Sequence, residues 1–145
     1  MTMTQHIFVL NGPNLNLLGT REPEIYGKDT LDDIHQRMIS AAPDVNITFL
    51  QTNSEGQLVD WIQQASREAS ALILNAGAYT HTSIAVHDAL RACKIPVIEV
   101  HLSNPAAREA FRETNYISPC ATGTIAGFGA HGYLMALNAA LQMTA

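Results

Sequence analysis

Residues 7–27 read IFVLNGPNLNLLGTREPEIYG, a short apolar run followed at once by a long polar loop. The run at residues 7–10 has the length and composition of a buried strand, and it ends abruptly in asparagine, glycine and proline. A connection this long is uncommon in a compact domain and is usually functional or disordered. The leucines within it favour order, so we expect the loop at residues 11–27 to present chemistry.

Similar apolar runs recur along the chain, and the segments between them have apolar residues at helical spacing. The runs lie at residues 7–10, 45–50, 71–74, 95–100 and 121–126. Alternating strands and helices are typical of a parallel sheet covered on both faces. We therefore predict an α/β fold: a single flavodoxin-like domain over residues 1–145, with a five-stranded parallel sheet in the order 2-1-3-4-5.

Capping and helix-breaking residues set the predicted helix bounds. Thr30 is a suitable N-cap, and Pro43 ends the helix that follows it. Ser54 and Gln57 resemble a capping box that opens the second helix. The remaining helices are predicted from about residue 82, from residue 104 to about residue 113, and from residue 131 to residue 143.

The composition excludes several classes of protein. The chain has 145 residues, eight Lys and Arg, and a net charge of −5, so a nucleic-acid partner is not expected. Cys93 and Cys120 form neither a CxxC motif nor a zinc spacing, which suits a reducing compartment. No leader pattern and no run of 18 apolar residues is present, and a cytoplasmic protein without membrane contact is expected. The apolar content, 47%, favours burial of some surface by other subunits.

Polar residues follow three of the predicted strands, at residues 11–16, 75–81 and 101–103. In this fold the ligand crevice lies at the carboxyl ends of strands 1 and 3, where the order of the connections reverses. These three polar segments converge there, and we predict the functional site at that edge. Residues 75–83, NAGAYTHTS, are rich in donors that suit a carboxylate or phosphate, although Thr82 and Ser83 are also ordinary helix caps.

Two pairs of residues carry the predicted chemistry. Tyr26 follows Arg21 by five residues, and a guanidinium stabilises a nearby phenolate, which is then a base at neutral pH. The alternative is an aromatic side chain that only closes its loop onto the surface. Glu99 and His101 share one face of strand 4, so the carboxylate is suited to orient the imidazole as a general acid. The alternative is a salt-bridged pair at a strand end.

Other charged residues have less specific patterns. Asp88 lies one turn before Arg91, where a surface ion pair is the simpler interpretation. Arg108 and Arg112 are four residues apart and are able to point the same way. Either one of them reaches over the crevice, or both are solvated. The histidines at 81 and 87 lack the spacing of a zinc pair, and those at 6, 35, 87 and 131 are interpreted as surface or packing residues.

Missing motifs narrow the reaction class. The chain has no GxGxxG, GxxxxGK[ST] or GxSxG motif, which removes the usual support for dinucleotide, P-loop and hydrolase sites. Imine chemistry would need Lys28 or Lys94, and Lys94 precedes strand 4 at the wrong edge of the sheet. Metal-free proton abstraction, followed by acid-assisted loss of a leaving group, fits best. A small-anion binding module and a flavodoxin-like electron carrier are the alternatives.

With these residues assembled, the chain resembles the type II 3-dehydroquinate dehydratases over nearly its whole length. The matching blocks are NGPNLNLLGTREPEIYG, QTNSEGQL, NAGAYTHTS, EVHLSN and GFGAHGY. The resemblance implies dehydration of 3-dehydroquinate to 3-dehydroshikimate, in the shikimate pathway or quinate breakdown, with no metal and no organic cofactor. It also implies a cytoplasmic dodecamer, a tetramer of trimers, in which Asp88 lies near a neighbouring subunit's site.

The resemblance also assigns roles to individual residues. Tyr26 takes the proton next to the ketone, Arg21 stabilises the phenolate, and Asn14 helps to hold the enolate through a water molecule. His101 protonates the departing hydroxyl with Glu99 behind it. The substrate-binding residues implied are Asn75, His81, Asp88, Leu102, Ser103 and Arg112. The chain departs from the family pattern at Ala76, His87 and Pro105, none of which has a catalytic role.

Overall fold

The computed structural model describes residues 4–20 and 22–145 and contains a five-stranded parallel sheet in the order β2-β1-β3-β4-β5. The strands are β1 (His6–Asn11), β2 (Asn46–Gln51), β3 (Ala71–Asn75), β4 (Val97–His101) and β5 (Gly123–Ala126). The predicted sheet and strand order are confirmed. The bounds of β4 differ from the prediction, because His101 is the last residue of the strand and not the first residue after it.

The described residues also form five α-helices. They are α1 (Pro23–Tyr26), α2 (Leu31–Ala41), α3 (Glu55–Glu68), α4 (Ile84–Arg91) and α5 (His131–Met143). The single turn α1 lies inside the segment predicted to be a loop, and it ends at Tyr26. The start of α4 is two residues later than predicted, because Ser83 and not Thr82 provides the N-cap, accepting from the N–H of Val86.

Thr30 and Ser54 cap α2 and α3 as predicted, but the reciprocal half of each capping box differs from the prediction. Thr30 and Asp33 form a reciprocal capping box at α2, which the sequence analysis did not identify. At α3 the Ser54 hydroxyl accepts from the N–H of Gln57, as predicted. The Gln57 side chain, however, accepts from the Thr52 hydroxyl at 2.6 Å, so the second half of the predicted box is absent.

Alternate residues of the strands face two separate cores. Ile7 and Val9 pack with α2 and α5 on one face of the sheet, whereas Phe8 and Leu10 pack with α3 and α4 on the other. This is the period of two that a strand imposes on its side chains. Because both faces are covered, the strands are apolar along most of their length.

The short helix predicted to run to about residue 113 is two separate 3₁₀ turns, Pro105–Ala107 and Ala110–Glu113. The break falls at Arg108, whose backbone is extended (φ −113°, ψ −155°). A helical Arg108 would keep its side chain on the helix surface, whereas the extended backbone sends it into the cleft described below. No helix in the described part of the chain is long and apolar enough to cross a membrane.

Candidate active site

A cleft opens at the carboxyl ends of β1, β3 and β4, at the predicted reversal of strand order. Its lining comprises Pro13, Asn14, Leu15, Tyr26, Asn75, Gly77, Ala78, His81, His101, Leu102, Ser103, Pro105, Arg108 and Arg112. The register explains why the loops converge, since Asn11 is paired with Asn75 in neighbouring strands. The loops approach so closely that a side chain at Gly12 would clash with the Ala76 carbonyl oxygen.

Most of the predicted site residues line this one cleft. Asp88 does not, because it is exposed on α4 outside the lining. Arg21 lies outside the described residues. Glu99 lies directly behind the cleft, bonded to a residue that lines it.

Tyr26 is half-buried at the end of α1, and a guanidinium lies over its ring. The central carbon of Arg108 is 5.0 Å from the ring centroid, and Nη1 of the same arginine donates to the Ser103 hydroxyl at 3.2 Å. The sequence predicted either that one of Arg108 and Arg112 reaches the crevice or that both are solvated, and it named only Arg112 as a site residue, by family resemblance. Arg112 also lines the cleft, and Glu109 lies 3.2 Å from its guanidinium and 3.5 Å from that of Arg108. Of these two arginines, Arg108 is the one whose guanidinium lies over the Tyr26 ring, whereas that of Arg112 lies over Phe111.

His101 and Glu99 form a buried pair at the end of β4. His101 Nε2 lies 2.5 Å from Oε2 of Glu99, and the side chains are 9% and 1% exposed. Nε2 donates to the carboxylate, which leaves Nδ1 of the imidazole to exchange a proton with a molecule in the cleft. This arrangement orients the ring and compensates the charge of an acid that burial alone would destabilise.

Three further side chains donate to the Glu99 carboxylate. They are Asn115 at 2.8 Å, Thr124 at 2.9 Å and Ser118. Burial by itself raises the pKa of Glu99, but the hydrogen bonds from His101, Ser118 and Asn115, together with the charge of His101, lower it to about 2. The carboxylate is thus held charged by donors from several elements, and its orientation is fixed.

The Glu99 carboxylate should make stability depend on pH in the acid range. Its pKa is 4.5 ordinarily and about 2 in the folded protein, so its contribution is complete above pH 4.5 and is lost as pH falls towards 2. Between pH 6 and pH 2, we expect the unfolding free energy of the native chain to fall by about 3 kcal/mol more than that of Glu99→Gln, which has no carboxylate at this position. Urea unfolding from pH 6 to pH 2 measures this, with the exposed Glu113→Gln as control. Parallel pH curves for the native chain and Glu99→Gln would contradict it.

His81 is suited to accept a hydrogen bond from a hydroxyl group in the cleft. Burial lowers its pKa and the nearby Arg112 cation adds to this, although the hydrogen bond to the Thr114 carbonyl acts in the opposite direction. Nδ1 lies 2.7 Å from that carbonyl, so Nδ1 carries the proton of the neutral ring. The lone pair on Nε2 is then available as an acceptor.

Asn14 is held in an unusual backbone conformation by the loop that follows β2. Its φ is 68°, a left-handed value that asparagine tolerates better than most residues. Its N–H donates to the Asn53 side-chain oxygen at 3.0 Å, and Gln51 donates to the same oxygen at 3.1 Å. The QTN part of the block QTNSEGQL thereby fixes the loop that presents Asn14.

The donors around Glu99 are the part of the site that sequence reasoning missed. Asn115, Ser118 and Thr124 lie 16, 19 and 25 residues from Glu99, in segments without a recognisable motif. The one signal in the sequence that could have indicated these donors was the buried acid itself, because a buried carboxylate needs hydrogen-bond donors. Among the described residues no group of three or more His, Cys, Asp or Glu could hold a metal ion.

Comparison with known proteins places these observations in a family. The model of the family "Dehydroquinase class II" matches residues 5–141. A 3-dehydroquinate dehydratase of Hyphomonas neptunium is 68% identical over 98% of this chain and 97% of its own length, and one of Caulobacter vibrioides is 58% identical over 97% and 98%. A crystal structure of type II dehydroquinase from Propionibacterium acnes has a TM-score of 0.91 and 44% identity, covering 97% of this chain and 99% of that one. The resemblance found in the sequence is confirmed.

Proposed function

The chain belongs to the class II dehydroquinases, a family of hydro-lyases, and we propose that it converts 3-dehydroquinate to 3-dehydroshikimate by anti elimination through an enolate. The observation that carries the proposal is that Tyr26 and the Glu99-supported His101 both belong to one cleft. A base and an acid on separate elements of one cleft suit the loss of a proton and a hydroxyl from one substrate.

The reaction begins with proton abstraction. The Tyr26 phenolate takes the proton on the carbon next to the ketone, and the electron pair of that C–H bond moves into the enolate. Arg21 stabilises the phenolate and the enolate charge, and Arg108, which lies over the Tyr26 ring, adds a second cation to this side of the cleft. Asn14 holds the enolate oxygen through a water molecule.

The second step expels the hydroxyl group. The enolate electrons re-form the ketone and make the new carbon–carbon double bond as the C–O bond breaks. His101 supplies a proton to the departing oxygen, so that water leaves, and Glu99 stabilises the imidazolium before the transfer. Asn75, His81, Leu102, Ser103 and Arg112 line the cleft and bind the substrate hydroxyls and carboxylate.

A dehydration assay tests this proposal. Purified protein given 3-dehydroquinate should generate the ultraviolet absorbance of a conjugated enoate without added metal. Borohydride added together with the substrate should leave activity intact, because Lys28 and Lys94 are both outside the cleft lining and no imine forms. A folded protein that binds 3-dehydroquinate without turnover would support the anion-binding alternative, and irreversible loss with borohydride would indicate lysine chemistry.

The family resemblance also leads us to propose a cytoplasmic enzyme that assembles as a dodecamer, a tetramer of trimers. Large apolar side chains on the surface of the single chain support burial between copies; Ile84, Phe111 and Phe128 are 53%, 61% and 61% exposed. In this assembly Asp88, exposed beside Ile84 on α4, would contribute to a neighbouring subunit's site. Light scattering of the purified protein measures the number of subunits.

A further inference from the structure

A chain of hydrogen bonds runs beneath the cleft from Asn75 through Tyr133 to Asn11. Asn75 Nδ2 lies 2.9 Å from the Tyr133 hydroxyl, and that hydroxyl lies 2.7 Å from Asn11 Oδ1. All three residues are buried, and Tyr133 is completely so, on α5. Tyr133 belongs to the block GFGAHGY, to which the proposed reaction assigns no role.

Main-chain groups at the two ends fix the direction of every bond in this chain. Asn75 Oδ1 accepts from the N–H of Gly77 at 3.2 Å, so its amide nitrogen faces Tyr133. Asn11 Nδ2 donates to the Leu50 carbonyl at 3.0 Å, so its oxygen faces Tyr133. A backbone N–H only donates and a carbonyl only accepts, and neither amide is able to flip without losing a bond. The Tyr133 hydroxyl must therefore accept from Asn75 and donate to Asn11.

This direction determines what Asn75 offers to the cleft. Its nitrogen carries two hydrogens, and Tyr133 accepts one of them. Asn75 lines the cleft, so the second hydrogen is available to an acceptor bound there. We propose that Tyr133 is a positioning residue that holds Asn75 as a hydrogen-bond donor to an oxygen of the substrate. The proposal rests on the dehydratase function and extends it to a residue outside the cleft.

The surroundings of Tyr133 suit this role. Its ring packs in the core between α5 and the sheet, which leaves the hydroxyl little freedom to move. Burial raises the pKa of the hydroxyl beyond its usual value and outweighs the hydrogen bond from Asn75, which lowers it. The group therefore keeps its proton and remains a donor to Asn11 over the working pH range.

A double-mutant cycle tests whether Tyr133 acts through Asn75. Tyr133→Phe keeps the ring and removes the hydroxyl, and we expect KM to rise about tenfold, the value of one lost hydrogen bond, with kcat within about twofold. Asn75→Ala should raise KM by at least as much. In the Asn75→Ala background, Tyr133→Phe should leave KM unchanged, because the side chain it positions is already gone.

Three outcomes would overturn the proposal: additive effects in the cycle, an unchanged KM in Tyr133→Phe, or a fall in kcat as large as the rise in KM. Tyr116→Phe is the matched control, since the Tyr116 hydroxyl makes no hydrogen bond to a described residue, and thermal unfolding verifies that each variant is folded. Neutron diffraction of the native protein adds a readout that needs neither activity nor a variant. Deuterium on the Tyr133 oxygen should point to Asn11, and deuterium directed at Asn75 would refute the assignment even if the protein proved not to be a dehydratase.

Discussion

Replacing Tyr26 with phenylalanine is expected to lower kcat about 10³-fold, because a general base contributes about 10²–10⁴ to the rate. The substitution removes the oxygen that accepts the proton and keeps the ring. The ring is the part that Arg108 contacts, at 5.0 Å from its centroid, so the position of the guanidinium should be preserved. KM should therefore change little, and the loss should appear in kcat.

Steady-state kinetics in the dehydration assay measure both constants for Tyr26→Phe. Tyr116→Phe is the control, because it removes a phenolic hydroxyl from a half-buried tyrosine outside the cleft lining and should retain native kcat. If Tyr26→Phe kept more than about a tenth of the native kcat, the phenol would not be the base, since even weak base catalysis contributes more. A loss confined to KM would instead indicate that the hydroxyl only binds substrate.

The sequence predicted the sheet and the position of the site because both follow from local patterns. Apolar runs at residues 7–10 and 71–74 mark strands β1 and β3, and the polar residues that follow them must meet at one edge of a parallel sheet. The pairing of Asn11 with Asn75 is a direct consequence of this topology. Local patterns of this kind need no knowledge of side-chain packing.

What the sequence did not predict depends on contacts between distant segments. Helical spacing did not show which of Arg108 and Arg112 reaches the cleft tyrosine. The extended backbone at Arg108 directs that side chain towards Tyr26. Tyr133 reaches Asn11 across 122 positions of the chain. Such contacts are set by how α5 packs on the sheet, and a periodicity within α5 identifies only which face is apolar.

A glutamine at position 101 should separate the two roles of His101, acid and partner of Glu99. The Gln amide is able to donate a hydrogen bond to the buried carboxylate, as Nε2 of the histidine does at 2.5 Å, but it has no proton to release. We expect His101→Gln to lower kcat about 10³-fold with near-native stability, within the range for a lost general acid. Kinetics and urea unfolding of the same preparations measure the two effects.

His101→Ala provides the contrast that assigns the loss to proton transfer. It should lower kcat to a similar level and also destabilise the fold by about 1–3 kcal/mol, because Glu99 loses a donor in a buried position. Asn115, Thr124 and Ser118 still donate to the carboxylate, so the alanine variant should fold. If His101→Gln kept most of its activity, positioning of Glu99 rather than acid catalysis would be the function of this histidine. The group that protonates the departing hydroxyl would then have to be another residue of the cleft. His81 is less suited to this than His101, because burial lowers its pKa and it has no carboxylate bonded to its ring.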